Sequence, residues 1–367
     1  MRQPSGHAAP AYLNRHPTLQ RRCRHHILWP SWAALLLVGL VFPLTFLLPP
    51  VWQYAPFVVS LVLLGLPHGA LDHLVLLRQR QQPLWSWSLL RVLAEYLAVS
   101  LVYLGLWIVA PGLAFAAFIG LTWFHWGQGE VHALLALAGA RHLPSRALRA
   151  LTLLVRGGLP MLVPLLAAPS VYLDVADLVI AAIGTGSTAA LRDALTVPLR
   201  AALAGGYALL AVGTLAMGAR HVASDAARRA WRIDVGETVL LACFFALVHP
   251  VVAVGLFFCC WHAPRHIMRL MLDDPQVARA VEAGQLGLAW RRFAIDALPM
   301  TAGALLLLGG LWLLVPTRPT TVPEFVGLYL VLIAVLTLPH AWVVTRMDRR
   351  DGIWASAETV EPAAGVM

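Results

Sequence analysis

Five of the 14 histidines in this 367-residue chain stand out in apolar surroundings. They occur in three short segments: His68 and His73 in GLPHGALDH, His125 in TWFHWGQGEVH, and His262 and His266 in CCWHAPRH. His262 and His266 are four residues apart, so a helix places both imidazoles on one face, within reach of a single ion. Two ligands on one helix do not complete a metal site. We therefore expect a site to which several helices contribute histidines.

The composition places these histidines in a membrane. Hydrophobic residues make up 59% of the chain and charged residues only 12%, and the mean hydropathy is +0.73. Soluble domains carry about 25% charged residues. These values exclude a soluble globular protein, a disordered chain and a nucleic-acid-binding module. All 27 basic residues are arginine, which also excludes a lysine Schiff base with retinal. We predict an all-α, polytopic membrane helix bundle.

About ten membrane spans are predicted, because each needs roughly 20 mostly apolar residues. The predicted spans are 31–49, 55–77, 90–110, 112–137, 151–169, 198–218, 235–249, 250–271, 294–315 and 324–345. The seventh is short and could form one broken helix with the eighth, hinged at His249-Pro250, so eight to ten spans are compatible with the sequence. The stretch 171–190 is apolar enough to be re-entrant or interfacial.

The arginines predict the orientation of the bundle. With the N-terminus in the cytoplasm, most of the 27 arginines fall on the cytoplasmic side, which satisfies the positive-inside rule for both termini. The chain then divides into a basic cytoplasmic tail, expected to be disordered, one transmembrane catalytic domain, and a second cytoplasmic tail. Their ranges are 1–30, 31–345 and 346–367.

The same topology brings four histidines to one depth. The spans that carry His68, His125 and the pair His262 and His266 all run towards the cytoplasm, and the four side chains lie near or just past mid-membrane. Asp72 follows His68 by one helical turn and is expected to accept its second N–H. Residues expected to support the ligands from further out are Asp72, His73, His132, His249 and His340. The ordinary alternative for each histidine is a hydrogen bond to a neighbouring helix.

Further side chains can be placed around this site. Arg265 is expected to pair with an acidic residue such as Glu130. The four cysteines are expected to be reduced, because the adjacent Cys259 and Cys260 point in different directions on a helix. Pro264 lies between the paired histidines and is expected to break the helix locally.

The ligand type narrows the metal and the chemistry. Imidazole ligands suit Fe, Cu, Zn and Ni, whereas a site poor in carboxylates disfavours Mg and Ca, and the CxxC spacing of zinc sites is absent. A site within a bilayer has access to lipophilic molecules and to O2. This combination favours a non-haem iron oxygenase that acts on an apolar substrate.

The ordered segments GLPHGALDH, FHWG, His249-Pro250 and WHAPRH resemble the Brp/Blh family of beta-carotene 15,15'-dioxygenases, with LPHAW at 338–342 as a weaker C-terminal similarity. The resemblance implies a multi-pass protein of the cell membrane, here the bacterial inner membrane. It also implies cleavage of the central double bond of beta-carotene by O2 to two molecules of all-trans-retinal, typically to supply a rhodopsin. The Fe(II) ligands that it implies are His68, His125, His262 and His266.

A carotenoid about 30 Å long is comparable to the hydrocarbon thickness of a bilayer, so such an enzyme needs a lateral opening to lipid and a tunnel that holds the polyene centre at the metal. Candidate tunnel walls are Phe118, Phe257, Phe258, Gly127 and Gly255.

The sequence is also compatible with two other functions. A membrane di-iron desaturase or hydroxylase also uses intramembrane histidines, but it needs HxxxH and HxxHH clusters, and this chain has one HxxxH and no HxxHH. A metal or proton transporter would place His and Asp in broken helices near mid-membrane, as His249-Pro250 and Asp72 permit.

Overall fold

The long apolar stretches form helices in the structure, a computed structural model that describes Leu13, residues 16–83 and residues 87–355. No strand occurs among these residues, so the predicted all-α class is confirmed. The α-helices are α1 (Pro17–Cys23), α2 (Trp29–Leu40), α3 (Phe42–Leu47), α4 (Pro50–Gln53), α5 (Ala55–Ser60), α6 (Asp72–Gln79), α7 (Trp87–Val109), α8 (Pro111–Ala133), α9 (Arg146–Ala167), α10 (Pro169–Ala181), α11 (Ala189–Ala194), α12 (Val197–Ala219), α13 (Asp225–Leu247), α14 (Pro250–Leu256), α15 (Ala263–Asp273), α16 (Pro275–Glu282), α17 (Leu286–Leu314) and α18 (Val322–Arg350). Wider π-helical turns occupy Arg24–Leu28, Leu61–Gly65, Leu134–Ala138 and Phe257–His262, and Pro67–Gly69 is a 3-10 turn.

Within the described residues, seven helical segments are long and apolar enough to cross a membrane. They are Ala55–Gln79, α7, α9, α12, Pro250–Asp273, α17 and α18. Each corresponds to one of the ten predicted spans.

The other three predicted spans do not correspond to any of these seven helical segments. The span 31–49 is divided at Val41, between α2 and α3. Helix α8 is 23 residues long, but its second half carries polar side chains that lower its hydropathy, and α13 begins with several charged residues. Ten spans therefore stay a prediction.

The structure shows the helix boundaries near His249-Pro250 and within 171–190. Extended backbone at Val248 separates α13 from α14, so 235–249 and 250–271 belong to two helices that meet at a break. Helix α10 has 13 residues, fewer than the roughly 20 needed to span a bilayer, and a re-entrant or interfacial position for 171–190 stays a prediction.

The described part of the predicted N-terminal tail is folded against the bundle. Leu19 and Cys23 are fully buried, and the Arg24 side chain donates a hydrogen bond to the carbonyl of Leu137 at 2.5 Å. The expectation of disorder is therefore wrong for residues 16–28. Leu19, Cys23 and Ile27 recur every fourth residue and form an apolar stripe, which the surrounding arginines obscure in the sequence. Residues 1–12, 14 and 15 lie outside the described residues.

The C-terminal boundary also shifts. Helix α18 continues to Arg350, and Asp351 just beyond it is buried, so the predicted tail at 346–367 begins as part of the bundle. Residues 356–367 lie outside the described part of the chain.

All four cysteines are free, as predicted. Burial raises the pKa of the Cys23 thiol to about 12. This thiol therefore behaves as a small core side chain rather than as a nucleophile.

The segment Pro250–Asp273 lies at the centre of the bundle, since 78% of its most apolar stretch is buried, compared with 11% for α12. Helix α8 contacts both α15 and α18. Gly127 permits the tight contact between α8 and α9, because a Cβ there would lie 2.5 Å from the carbonyl oxygen of Leu153. This packing fixes α8 and its histidine against the central segment.

Candidate metal centre

Five buried histidines from four regions of the chain meet inside the bundle. His68 lies in the 3-10 turn that interrupts the helical segment 55–79, and His125 lies in α8. His262 ends the π-helical turn before α15, His266 lies in α15, and His340 lies in α18. All five side chains are at most 8% exposed.

The four histidines predicted as ligands are brought together. The Nε2 atoms of His125 and His262 lie 3.2 Å apart. The ring centre of His68 is 5.7 Å from those of both His262 and His266. The ring centres of His125 and His266 are 6.2 Å apart.

Pro264 leaves the paired histidines on one face of the helix, although the helix changes from π-helical to α-helical geometry beside it. The π-helical turn ends at His262, and Pro264 occupies the first turn of α15, which continues directly from it. The rings of His262 and His266 are 6.4 Å apart and nearly parallel, with 4° between their planes. Gly129 of α8 makes room for this pair, because a Cβ there would lie 3.3 Å from the His262 ring.

His340 lies among the predicted ligands rather than outside them. Its ring centre is 5.0 Å from His68, 4.7 Å from His125 and 5.0 Å from His266. The potential ligand atoms of His68, His125 and His340 lie within 4.8 Å of one another, and so do those of Asp72, His266 and His340.

Asp72 supports His340 and not His68. The Nδ1 atom of His340 is 2.8 Å from Asp72 Oδ2, whereas Nδ1 of His68 donates to the carbonyl oxygen of Gly65. The predicted carboxylate–histidine contact therefore exists with a different histidine, because the turn at His68 already supplies an acceptor. Tyr96 also donates its hydroxyl to Asp72 Oδ2, at 3.2 Å.

The polar atoms of the cluster fit a transition-metal ion. Nε2 of His266 and Nε2 of His340 are buried and lack a hydrogen-bond partner in the described structure. A buried polar atom without a partner costs about 1–3 kcal/mol. A cation that accepts imidazole lone pairs would remove that cost, and a set of imidazoles suits Fe, Cu, Zn or Ni.

The other three histidines predicted to support the ligands, His73, His132 and His249, lie apart from one another. His73 donates from Nδ1 to the carbonyl oxygen of Ala70, at 3.0 Å, and faces the large cavity described below. His132 lines a second, very small cavity of about 10 Å³ together with His262 and His266. His249 lies at the α13–α14 break and packs against Phe46.

A cavity of about 760 Å³ borders the cluster. His68, His125 and His340 face it, while His262 and His266 lie behind them at the small cavity. Most of the other lining side chains are apolar. Of the five predicted tunnel walls, Phe118 and Phe258 line the cavity; those that do not are Phe257, Gly127 and Gly255.

The cavity reaches the outer surface of the bundle between α7 and α17, both of which pack on α18. Leu101 of α7 and Leu306 of α17 line it and are also 55% and 78% exposed. An apolar opening therefore lies on the flank of two helices that can span a membrane.

Four buried charges lie behind the histidines. Arg265 contacts Glu130 at 3.5 Å, as predicted, and Glu237 at 2.7 Å. Arg156 pairs with Glu130 at 2.7 Å and also with Glu237. The Trp261 indole donates to Glu130 at 2.8 Å. Two positive and two negative groups compensate one another, so the network behind His262 and His266 carries no net charge.

Fold and site together define an all-helical membrane-type protein with a buried polyhistidine centre beside an apolar cavity. The family described as beta-carotene 15,15'-dioxygenase matches residues 59–348, and the chain belongs to this family.

Two curated relatives come from Halobacterium salinarum. The probable beta-carotene 15,15'-dioxygenase Blh is 43% identical over 339 residues, which are 91% of this chain and 97% of the relative. The probable beta-carotene 15,15'-dioxygenase Brp is 31% identical over 329 residues, or 84% of this chain and 87% of the relative. No solved structure matches this chain.

Proposed function

We propose that this protein is an Fe(II)-dependent dioxygenase that cleaves the central double bond of beta-carotene to two molecules of all-trans-retinal. The main support is that a buried imidazole cluster forms part of the wall of a large apolar cavity. The chain also belongs to the beta-carotene 15,15'-dioxygenase family. In the overall reaction one C=C bond is broken, and each of its carbons takes one oxygen atom of O2. This balance needs no other co-reactant.

The iron would be held by His68, His125, His262 and His266. When bound, Fe(II) would supply the redox chemistry that activates O2. The four imidazoles would bind as neutral ligands, and the hydrogen bond from His68 Nδ1 to Gly65 leaves Nε2 of that ring for the ion. Because both oxygen atoms of O2 end in the products, the reaction needs no lysine and no acid or base at the centre of the cavity.

The cavity walls bind and orient the substrate. Side chains such as Phe118 and Phe258 offer an apolar surface next to His68 and His125, and they exclude water from the reacting bond. Cleavage at the central bond requires that both ends of the polyene be stopped at fixed distances from the histidines.

The substrate enters from the lipid bilayer. The opening between α7 and α17 lies on the apolar flank of the bundle, where a carotenoid dissolved in hydrocarbon can reach the cavity without crossing water. The protein would reside in the cell membrane, the inner membrane of a bacterium, with both termini in the cytoplasm. Retinal released there can supply a rhodopsin.

Dependence on metal and oxygen tests this proposal. Membranes containing the protein are incubated with beta-carotene under air, without oxygen, and after treatment with an Fe(II) chelator. Retinal should form only under air, cease after chelation and return on addition of Fe(II). The His125→Ala variant should form none, whereas His142→Ala, which alters a buried histidine paired with Asp234 at 3.1 Å elsewhere in the fold, should retain activity. Retinal formation that survives chelation, or that persists in His125→Ala, would refute the iron site.

A further inference from the structure

We propose that His340, oriented by Asp72, is a direct ligand of the same metal ion. This inference rests on the proposed function and adds a fifth imidazole to the four that the sequence motifs supply. It assigns a role to the LPHAW segment of α18, which carries a single histidine and no second ligand at helical spacing.

The hydrogen bond to Asp72 fixes the tautomer of His340. A carboxylate only accepts hydrogen bonds, so the 2.8 Å contact requires a proton on His340 Nδ1. The lone pair of the neutral ring then lies on Nε2, on the other side of the imidazole. A carboxylate that orients a histidine in this way is the usual partner of a metal-bound imidazole.

His340 has a free ring nitrogen and lies among the other candidate ligands. Nε2 is buried and has no hydrogen-bond partner among the described residues. His340 belongs to both groups of potential ligand atoms that lie within 4.8 Å of one another, the first with His68 and His125 and the second with Asp72 and His266. It is the one histidine common to the two groups.

The charge at Asp72 supports the same conclusion. The Asp72 side chain is 3% exposed, and its Oδ1 atom has no hydrogen-bond partner in the described structure. Among the described residues, His340 is the sole basic group within 4.0 Å of it, and Tyr96 contributes only a neutral hydroxyl. A buried carboxylate of this kind is costly unless a cation compensates it. A metal ion bound through His340 supplies that charge.

Asp234 and His142 provide a matched control. They form a second buried histidine–carboxylate pair, with Nε2 and Oδ2 3.1 Å apart and the His142 side chain fully buried. Replacing His142 or Asp234 removes a comparable pair without touching the cluster. Any loss that is specific to His340 or Asp72 therefore reports on the metal and not on the loss of a buried pair as such.

The test is metal binding by the purified full-length protein in detergent, after removal of metal with a chelator. Co²⁺ is titrated as the probe, with its visible absorption as readout, and Fe(II) content is measured separately. His340→Ala and Asp72→Asn should weaken Co²⁺ binding by about 10–100-fold or more, and His340→Ala should also change the absorption spectrum of bound Co²⁺. His142→Ala and Asp234→Asn should leave both unchanged. Added imidazole should restore binding to His340→Ala, because the truncated side chain leaves room for it.

His340→Gln keeps a polar side chain in α18 and guards against loss of folding. Unchanged Co²⁺ affinity and spectrum in both His340 variants, with retinal still formed by the wild type, would overturn this inference and leave the proposed function standing. A wild-type protein that binds neither Co²⁺ nor Fe(II) and forms no retinal would instead overturn the proposed function.

Discussion

The Nε2 atoms of His125 and His262 face each other at 3.2 Å, although 137 residues separate them in the chain. Two neutral imidazoles in this position make one hydrogen bond if one nitrogen carries a proton. If both lone pairs point into the gap, they can share a cation instead. This contact joins α8 to the HxxxH motif, and these are two of the three sequence segments that the metal hypothesis combines.

The first prediction concerns metal retention. His262→Ala removes one partner of the contact with His125, so we expect loss of bound iron and at least an approximately 100-fold fall in cleavage. Iron content by elemental analysis and retinal formation should fall together. His249→Ala, which truncates a buried histidine packed on Phe46, should keep its iron. Full iron content in His262→Ala would show that His262 is not a ligand.

The second prediction tests the lateral opening. Gly303 and Gly309 both lie in α17, and a Cβ at either would meet nothing within 4 Å, but only Gly303 lines the cavity. Gly303→Phe should fold normally and slow carotene cleavage about tenfold or more, because the added ring occupies the path of the substrate. Gly309→Phe is the matched control and should cleave at the wild-type rate. Equal rates for the two variants would place the entry path elsewhere.

The third prediction concerns the buried charges behind the cluster. Arg156→Met leaves Glu130 and Glu237 with Arg265 alone, so the protein should lose about 3–5 kcal/mol of stability. Adding Glu237→Gln to Arg156→Met restores neutrality and should recover part of the loss. Thermal unfolding in detergent measures both changes.

An exposed ion pair provides the comparison for this experiment. Arg292 and Asp296 lie one turn apart on α17, at 3.0 Å, and Arg292→Met should change stability by less than about 1 kcal/mol. If Arg156→Met is no more destabilising than Arg292→Met, the network does not support the fold.

The fourth prediction is the orientation in the membrane. Reporter fusions at 140–150 and at 219–232 should both report the cytoplasm, because the arginines that follow α8 and α12 satisfy the positive-inside rule only on that side. A periplasmic signal from either position would mean that a span between them has been miscounted.

Spacing and membrane depth were sufficient to predict that His68, His125, His262 and His266 converge. They were not sufficient for His340, since a single histidine in α18 carries no periodic signal and its place depends on how α18 packs against α8. The sequence also does not predict which histidine is hydrogen-bonded to Asp72. Helical spacing favours His68, but the 3-10 turn directs the Nδ1 of that histidine to Gly65.

Some features of the fold also cannot be predicted from the sequence, for similar reasons. Apolar length predicts the long helices, whereas a π-helical turn such as Phe257–His262 depends on side-chain packing that leaves no pattern in the sequence. Arg156 and Glu237 form an ion pair although 81 residues separate them, and neither lies in a motif. The pairing of Arg265 with Glu130 could be predicted because both residues neighbour predicted ligands.

The products formed from beta-carotene show which double bond the protein cleaves. Purified protein loaded with Fe(II) is incubated with beta-carotene under air, and all carotenoid products are separated and quantified. We expect retinal as the sole product, with two molecules formed for each carotene consumed. Longer apocarotenals, or carotene left intact under these conditions, would contradict central cleavage by this protein.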